Sequence, residues 1–531
     1  MPTNEIITIQ AGNYANFVGT HWWNIQESSF VYSAAGSTPV DIDHDVMFSE
    51  GSNLRGDVTY TPRLVLIEAQ DNFRNLPKES SLYRSDNEDS KTQWDGFIDV
   101  IKKQPVEMNP FLEGTNVTMT PVDSGNIASF EHPSTSWSYF LRTNLHPSSL
   151  CLVNELCVDD LSPYELYSNG EAIYSKNGEQ FEESLRKMGE DCDCLQGFQL
   201  IYDAYNGFSG ITGQFLQHLD DEYKRRPSLC FPVYQDDLDI PIDDVKKQKH
   251  RLYAILLSMS NMNSYCTFFS PLSLTDDVVN LSYPYRQLPC VQYNEKLLYH
   301  TSAIFAAAIE TLSSPFRLRS GKHNMYDATN SMATYGRKLV SSSVSLPFPL
   351  GHDTYLSSMV ETDVPEYYMT SLSPYYKTEC ERTIIQSAVL RGVPADKFQK
   401  PGKYYHSPDN KEIFGEYLNK YSPSSVTTAT ILEEKCSVAF PFPKIFKNIV
   451  SDSGFLNSAV SDCSKGADKI PLAASFSSSD SASQFLEDVL SQANKNSFKE
   501  YIKCSESSFD RDSYREVIEN LIGLQDNYTN Y

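Results

Sequence analysis

The opening 27 residues combine a β-branched run, a glycine turn and a helical repeat, and this order constrains the fold more than any other feature. Residues 5–10 read E-I-I-T-I-Q and predict a strand that ends at the turn-prone A-G-N of residues 11–13. Large apolar residues then recur at the spacing of one helix face: Tyr14, Val18, Trp22 and Ile25. A strand that leads through a tight turn into a helix begins an α/β domain.

The same alternation returns further along the chain. Residues 64–67 (L-V-L-I) follow Pro62 and are apolar on both faces, as in a strand inside a parallel sheet. Between residues 196 and 233 we predict a strand or helix end, a glycine-containing loop at residues 206–213, a helix, and a strand at residues 229–233. The pattern predicts a doubly wound parallel sheet of the Rossmann type.

The second half of the chain predicts a buried helix and another domain. Residues 297–312 are rich in Ala, are apolar nearly all round and precede Pro315, so we predict a core helix between two layers. Apolar runs such as residues 383–390, together with two P-F-P turns, predict a second α+β domain. The Ser-rich residues 477–483 are expected to loop out.

Two amphipathic helices are predicted near the C-terminus, at residues 485–492 and 514–524. We therefore divide the chain into four parts: an N-terminal domain with insertions (1–290), a core helix (291–315), a second α+β domain (316–450) and a C-terminal helical region with a Ser-rich loop (451–531).

Charge and cysteine content limit the partners and the compartment. With 44 Lys and Arg against 69 Asp and Glu, the net charge is −25, which disfavours binding to nucleic acid. The 11 irregularly spaced cysteines predict reduced thiols in the cytosol. No Lys or Arg precedes Arg55, so we expect no secretory or mitochondrial import signal, and the longest apolar runs are far shorter than a transmembrane segment. We predict a cytoplasmic protein without a transmembrane segment.

Four blocks of the sequence, in order, resemble tubulin. Tubulin's opening pattern is E-I-x-x-I-Q-A-G-Q-C-G-N-Q-I-G with an aromatic residue four positions later, and its later blocks are Y-V-P-R-A-V-L-V, L-Q-G-F-Q-L and V-P-F-P. The corresponding stretches here are residues 5–19 with Trp23, residues 60–67, residues 195–200, and residues 346–349 after Ser302 and Ala303 of the core helix. Together they cover most of residues 1–350 and imply a tubulin-like fold.

Within these blocks the closer resemblance is to the Misato family of tubulin-related proteins. It is carried by A-N-F-V-G-T-H-W-W-N-I-Q-E at residues 15–27, T-Y-T-P-R at residues 59–63 and V-L-R-G at residues 389–392. The resemblance implies a cytoplasmic protein, partly peripheral on the mitochondrial outer membrane, that serves mitochondrial distribution, morphology and inheritance and, in some animals, mitotic microtubules. It implies protein partners at the mitochondrial surface, with tubulin and the cytosolic chaperonin as further candidates.

The resemblance also implies where a nucleotide would lie. Tubulin holds phosphates on a G-G-G-T-G-S-G loop, because glycines let backbone amides close on the anion at a helix N-terminus. Here the stretch is Y-N-G-F-S-G-I, at residues 205–211, and Phe208 stands where tubulin has Thr. The implied nucleotide-binding residues are Gly12, Asn13 and Tyr14 of the first turn and Asn206, Gly207, Ser209 and Gly210 of the second.

Several other positions depart from tubulin's site. Its D-x-E magnesium pair is Glu68-Ala-Gln70 here, and its guanine-reading asparagines fall near Ala254 and Leu298. The loop that offers a catalytic acid to the next subunit corresponds to residues 324–338, where Asp327 is the one carboxylate. We therefore expect no catalytic residue and no metal, and these departures disfavour GTP or GDP as a cofactor without excluding either nucleotide.

Three interpretations of residues 206–213 remain open: a nucleotide is bound and hydrolysed, a nucleotide is bound weakly or without hydrolysis, or the stretch is a structural strand-to-helix turn. The lost glycines favour the structural turn. The leading functional hypothesis is a non-polymerising tubulin-like adaptor that works by binding partners. The alternative is a low-turnover GTPase of the tubulin type.

Overall fold

The computed structural model describes most of the chain. The described residues are 4–30, 41–52, 56, 58–73, 130–133, 135–153, 165–235, 245–279, 284–321, 324–361, 369–374, 382–400, 409–423, 425–457, 466–495 and 510–529.

Short strands occur throughout these residues. In chain order they are β1 (Ile6–Ala11), β2 (Phe48–Ser52), β3 (Val58–Pro62), β4 (Leu64–Ala69), β5 (Leu150–Val153), β6 (Gly197–Asp203), β7 (Ser228–Val233), β8 (Phe268–Phe269), β9 (Ser341–Ser345), β10 (Thr370–Ser371), β11 (Thr383–Arg391), β12 (Val426–Leu432), β13 (Cys436–Ser437), β14 (Lys469–Ile470) and β15 (Leu472–Ser479).

The helices alternate with the strands in the first half of the chain. They are α1 (Asn13–Glu27), α2 (Tyr167–Glu190), α3 (Gly207–Glu222), α4 (Val245–Tyr265), α5 (Leu298–Ser313), α6 (Met325–Met332), α7 (Leu356–Glu361), α8 (Asn410–Tyr421), α9 (Ser481–Lys495) and α10 (Arg511–Thr529).

The first sheet has six parallel strands in the order β5-β4-β1-β6-β7-β8. The chain starts in the middle of this sheet, adds strands on one side and then on the other, which is the predicted doubly wound topology. The central strands are buried along their whole length because helices cover both faces. The switch in direction falls between β1 and β6.

Helix α5 is the predicted core helix. Fifteen consecutive residues from Tyr299 to Ser313 are buried, and the helix packs against α1 on one side and against β11 and β15 on the other. Its small Ala side chains allow this close approach from both layers. Helix α1 is also buried all round from Tyr14 to Gln26, whereas the sequence pattern predicted a single apolar face.

The second sheet has five strands in the order β10-β9-β15-β11-β12. Its central strand β15 includes Ser477, within the stretch that we expected to loop out, so that prediction is wrong. The Ser477 hydroxyl hydrogen-bonds to the Ser341 hydroxyl on the neighbouring strand at 2.6 Å, and Ser481 already begins α9. Residues beyond 450 thus contribute a strand to the second sheet as well as the two predicted C-terminal helices.

A buried charge cluster joins the two layers through α5. Glu310 Oε2 accepts hydrogen bonds from Trp22 Nε1 of α1 at 3.1 Å and from Arg317 Nη2 at 2.9 Å. Its Oε1 accepts from Arg391 Nη1 of β11 at 3.4 Å. All four side chains are buried. The carboxylate therefore links the core helix to the first helix and to the second sheet.

Candidate functional site

The two turns implied as nucleotide-binding meet at the carboxyl edge of the first sheet. Strands β1 and β6 are neighbours, with Ala11 paired to Tyr202, and the helices that follow them begin two and four residues after the strands end. Gly12 and Asn206 are the N-caps of α1 and α3. This is the topological switch point of the sheet, where doubly wound folds bind ligands.

The N-terminus of α1 is closed by a side chain of β6. The Asp203 carboxyl accepts hydrogen bonds from the backbone N–H of Ala15 at 2.8 Å and of Tyr14 at 3.3 Å. Gly12 has a φ of 111°, and a Cβ placed on it would lie 2.5 Å from Asp203 Cγ. Glycine is needed here both for the backbone conformation and for the close carboxyl. The amides that could bind a phosphate are thus already hydrogen-bonded.

The N-terminus of α3 is closed by Asn206. Its side-chain oxygen accepts from the backbone N–H of Phe208 at 3.0 Å. The Ser209 hydroxyl donates to the Asn206 carbonyl at 2.5 Å. Helix α3 starts at Gly207, so the loop predicted at residues 206–213 is wrong. An N-cap asparagine at residue 206 favours a helix that starts at the next residue.

The glycines of this stretch allow two helices to pack at backbone contact. A Cβ on Gly210 would lie 2.1 Å from the Tyr167 carbonyl oxygen of α2, and a Cβ on Gly170 would lie 1.8 Å from the Gly207 carbonyl oxygen. Either distance is far inside a van der Waals contact. Gly210 is therefore required by the contact between α2 and α3, whether or not a nucleotide binds.

Two buried acids lie at this edge. Burial raises the pKa of Asp203 to about 8, and the Glu68 charge adds to the rise, while hydrogen bonds from Ala15, Tyr14 and Asn206 oppose it. Burial also raises the pKa of Glu68. A phosphate placed here would face both acids at close range in a medium of low dielectric constant.

The Glu68 carboxyl group is saturated with hydrogen-bond donors. Its Oε2 accepts from Asn16 Nδ2 at 2.9 Å and from Trp137 Nε1 at 3.0 Å. Its Oε1 accepts from the Ala69 N–H at 2.8 Å and from Asn72 Nδ2 at 3.1 Å. Four donors occupy the lone pairs that a Mg²⁺ ion would need. The acid that the resemblance implies as a metal ligand thus serves as a structural acceptor.

The other predicted positions also point away from nucleotide chemistry. Tyr14 turns its hydroxyl to the core helix, where it donates to Thr301 Oγ1 at 2.9 Å, and Asn13 is the first, half-buried residue of α1. Gln70 is exposed after β4. Ala254 is buried in α4, and Leu298 is half-buried at the start of α5; neither side chain can hydrogen-bond to a base.

The stretch that corresponds to tubulin's acid-bearing loop begins with a capped helix. Asn324 is the N-cap of α6 and accepts from the Asp327 N–H at 2.7 Å, while its amide donates to the Asp327 carboxylate at 2.8 Å. This reciprocal cap holds the carboxylate against its own helix. Asp327 is therefore oriented by α6 itself.

The residues of this edge do not fit GTP with Mg²⁺. The amides of α1 and α3 are capped, Glu68 is saturated, and no group of three His, Cys, Asp or Glu side chains in the described ranges could hold a metal ion. The sequence interpretation missed Asp203, whose contact with Ala15 spans 188 residues. The available signal was an acid at the end of a buried strand that neighbours the glycine turn.

Comparisons with known proteins agree with the fold. The family model "Misato Segment II tubulin-like domain" matches residues 4–115, and the model "Tubulin domain" matches residues 131–318. Protein misato homolog 1 from Mus musculus is 28% identical over 99% of this chain and 98% of its own length. Protein misato homolog 1 from Danio rerio is 29% identical over 86% and 84%, and protein DML1 from Gibberella zeae is 28% identical over 60% and 61%.

Proposed function

Since the chain belongs to the Misato family of tubulin-like proteins, we propose that it is a non-polymerising, non-hydrolysing adaptor in mitochondrial distribution and morphology. The proposal that the protein works without a nucleotide rests on one observation: the Asp203 carboxyl accepts hydrogen bonds from the α1 amides. The resemblance to tubulin implies that those amides would face a phosphate. Here the protein supplies its own acceptor, so the fold is complete without a ligand.

The adaptor proposal extends to assembly. Head-to-tail stacking of the tubulin type requires that the nucleotide of one subunit meets an acid of the next, so both ends must be complementary. At one end Asp203 and Asn206 cap the helices, and at the other Asp327 is held by Asn324. Both halves of a nucleotide-bridged joint have thus lost their chemistry, and the surfaces are left for other partners.

The proposed location is the cytoplasm, with a peripheral pool on the mitochondrial outer membrane. It rests on the family resemblance. Among the helices of the described residues, none has the length and apolarity required to cross a bilayer. Protease treatment of intact mitochondria should remove the bound pool, whereas protection until the outer membrane is opened would contradict the location. The mitochondrial receptor, tubulin and the cytosolic chaperonin are the candidate partners.

A low-turnover GTPase is the second candidate. It is favoured by one observation: Gly12 keeps a left-handed turn at the N-terminus of α1, at the switch point where both helices begin. This function would require that Asp203 leaves the α1 amides when a nucleotide arrives. Breaking the two buried hydrogen bonds from the Tyr14 and Ala15 N–H groups to Asp203 costs on the order of 2 kcal/mol or more. This cost would weaken the affinity for a nucleotide.

Assembly and turnover can be tested on one sample. Purified full-length protein at micromolar concentration is incubated with GTP and Mg²⁺ while light scattering and phosphate release are followed, and the end point is viewed by electron microscopy. We expect constant scattering, no filaments and no phosphate release above the protein-free blank. Ordered protofilaments, or steady phosphate release proportional to protein concentration, would contradict the proposal.

A further inference from the structure

Strand β12 forms an outer edge of the second sheet and lacks the features that protect such edges. It pairs in parallel with β11 on one side, and no backbone pairing on its other side occurs among the described residues. Its sequence, V-T-T-A-T-I-L, contains no charged residue and no proline. Proteins usually protect exposed edges with lysine, proline, a bulge or a covering element. This edge offers seven residues of β-forming backbone.

The first half of one face of β12 is also open, whereas Thr430 and Leu432 further along that face are buried. Ala429 and Ile431 pack into the cluster that contains α8, so that face is covered. On the opposite face α6 lies over β11 and β15. There the Val426 side chain is 69% exposed and Thr428 is exposed, although both belong to a regular strand. The edge therefore continues into an uncovered surface.

A cavity of about 180 Å³ opens on this same face. Its apolar wall includes Leu312 of the core helix, Val389 of β11 and Phe476 of β15, and its rim includes Thr428 and Thr430 of β12 and Asp327 of α6. An apolar cavity of roughly 150 Å³ can hold benzene. This one has room for a single aromatic or branched aliphatic side chain.

We propose that β12 is the docking edge for an extended segment of a partner protein, which adds as a sixth strand and inserts one large apolar side chain into the cavity. A strand added beside β12 places alternate side chains on the face of Thr428 and Thr430, next to the opening. The outer backbone groups of β12 would hydrogen-bond to an extended peptide, and the cavity would bind one large apolar side chain of that peptide.

Charge specifies the ends of that segment. Asp327 is the one charged residue that lines the cavity among the described residues, and Glu433 and Glu434 follow directly after β12. The whole chain carries a net charge of −25. The partner segment therefore has Lys or Arg beside its apolar anchor, because these carboxylates would repel an acidic segment. This inference does not depend on whether a nucleotide binds.

The proposal can be tested by measuring how a set of short peptides binds to the full-length protein. The probes are acetylated, fluorescent heptapeptides of alternating Thr and Val in which the central residue is varied and both ends are either Lys or Glu. We expect binding to select a central Phe, Leu or Ile and Lys ends, and to slow hydrogen exchange of the amides of residues 426–432. T428K and V426K should each weaken binding at least about tenfold by placing charge on the edge.

The matched control is V58K, because Val58 is an exposed (58%) β-branched residue on β3 of a separate two-stranded hairpin. It should bind peptide like the wild type, and the thermal unfolding of all three variants should show that they fold. The proposal is overturned if no peptide binds tighter than about 1 mM, or if T428K and V426K bind normally. It is also overturned if the protein alone is a dimer that T428K dissociates, because the occupant would then be a second copy.

Discussion

Asp203 and Asn206 close the N-termini of two different helices that begin at the same edge of the first sheet. The Asp203 carboxyl accepts from the first amides of α1, at 2.8 and 3.3 Å, and the Asn206 side-chain oxygen accepts from the Phe208 N–H of α3 at 3.0 Å. The pair thus satisfies the unpaired N–H groups at the edge where a doubly wound sheet would hold a phosphate.

Replacing Gly12 by alanine should destabilise the protein strongly. The new Cβ would lie 2.5 Å from Asp203 Cγ in a backbone conformation with a φ of 111°, so strain and overlap add. We expect a loss of about 2–4 kcal/mol, measured by chemical denaturation. G321A is the control, because Gly321 also has a positive φ but has open space around it; it should lose only about 1 kcal/mol. Equal losses for the two variants would show that Asp203 does not crowd Gly12.

The D203N variant should change the pH dependence of stability. Because the pKa of Asp203 is raised to about 8 in the folded protein, folding retains a proton that the unfolded chain releases, and stability falls as the pH rises from about 4 to 8. The amide still accepts from the α1 N–H groups but does not titrate. The melting temperature of D203N relative to wild type should therefore increase from pH 5 to pH 8.5. The pH dependence that D203N itself retains is due partly to Glu68, whose pKa is also raised.

D353N is the control for this titration, because the Asp353 side chain is fully exposed. Its melting temperature should stay close to that of the wild type, as expected for a surface substitution. If the D203N difference from wild type did not vary with pH, the Asp203 carboxyl would not be held in the buried site.

The G210A variant separates a packing role from a phosphate-binding role. Its Cβ would lie 2.1 Å from the Tyr167 carbonyl oxygen, so α2 must move away, and we expect a loss of about 2–4 kcal/mol without any nucleotide present. The matched variant G415A, in α8, has open space around the new methyl group and should gain about 0.5–1 kcal/mol. Normal stability of nucleotide-free G210A would contradict the packing role.

The E310A variant should uncouple the two sheets. Without this carboxylate, the buried Arg317 and Arg391 guanidinium groups lose their shared acceptor, at a cost of about 3–5 kcal/mol. E183A is the comparison: Glu183 pairs with Arg186 on the exposed face of α2, and its loss should leave the unfolding curve unchanged. A similarly small effect of E310A would show that the cluster does not join the layers.

The parts of the fold that sequence predicted are those with local patterns. The β-branched residues of β1, the Ala-rich run of α5 and the helical periods of α9 and α10 each specify an element within a short stretch. The serines of β15 misled the prediction because low-complexity Ser usually indicates a loop. Their role depends on β9, where Ser341 pairs with Ser477 across 136 residues.

The candidate site was predicted in position but not in its contacts. Gly12 and Asn206 were named from the resemblance, and the parallel pairing of β1 and β6 brings them together. Asp203 has no motif of its own, since its effect arises from burial and from amides nearly two hundred residues away. Glu68 corresponds to one acid of tubulin's magnesium pair, and no metal was expected there; Trp137, one of the donors that saturate it, lies in a part of the chain for which the sequence predicted no element.

The nucleotide content of natively purified protein tests the central claim most directly. The full-length chain is purified without added nucleotide, denatured, and its supernatant analysed by chromatography and mass spectrometry against a tubulin sample treated identically. We predict that tubulin releases stoichiometric guanine nucleotide and that this protein releases none, because Asp203 and Asn206 already occupy the helix N-termini. Stoichiometric GDP or GTP from this protein would contradict the account.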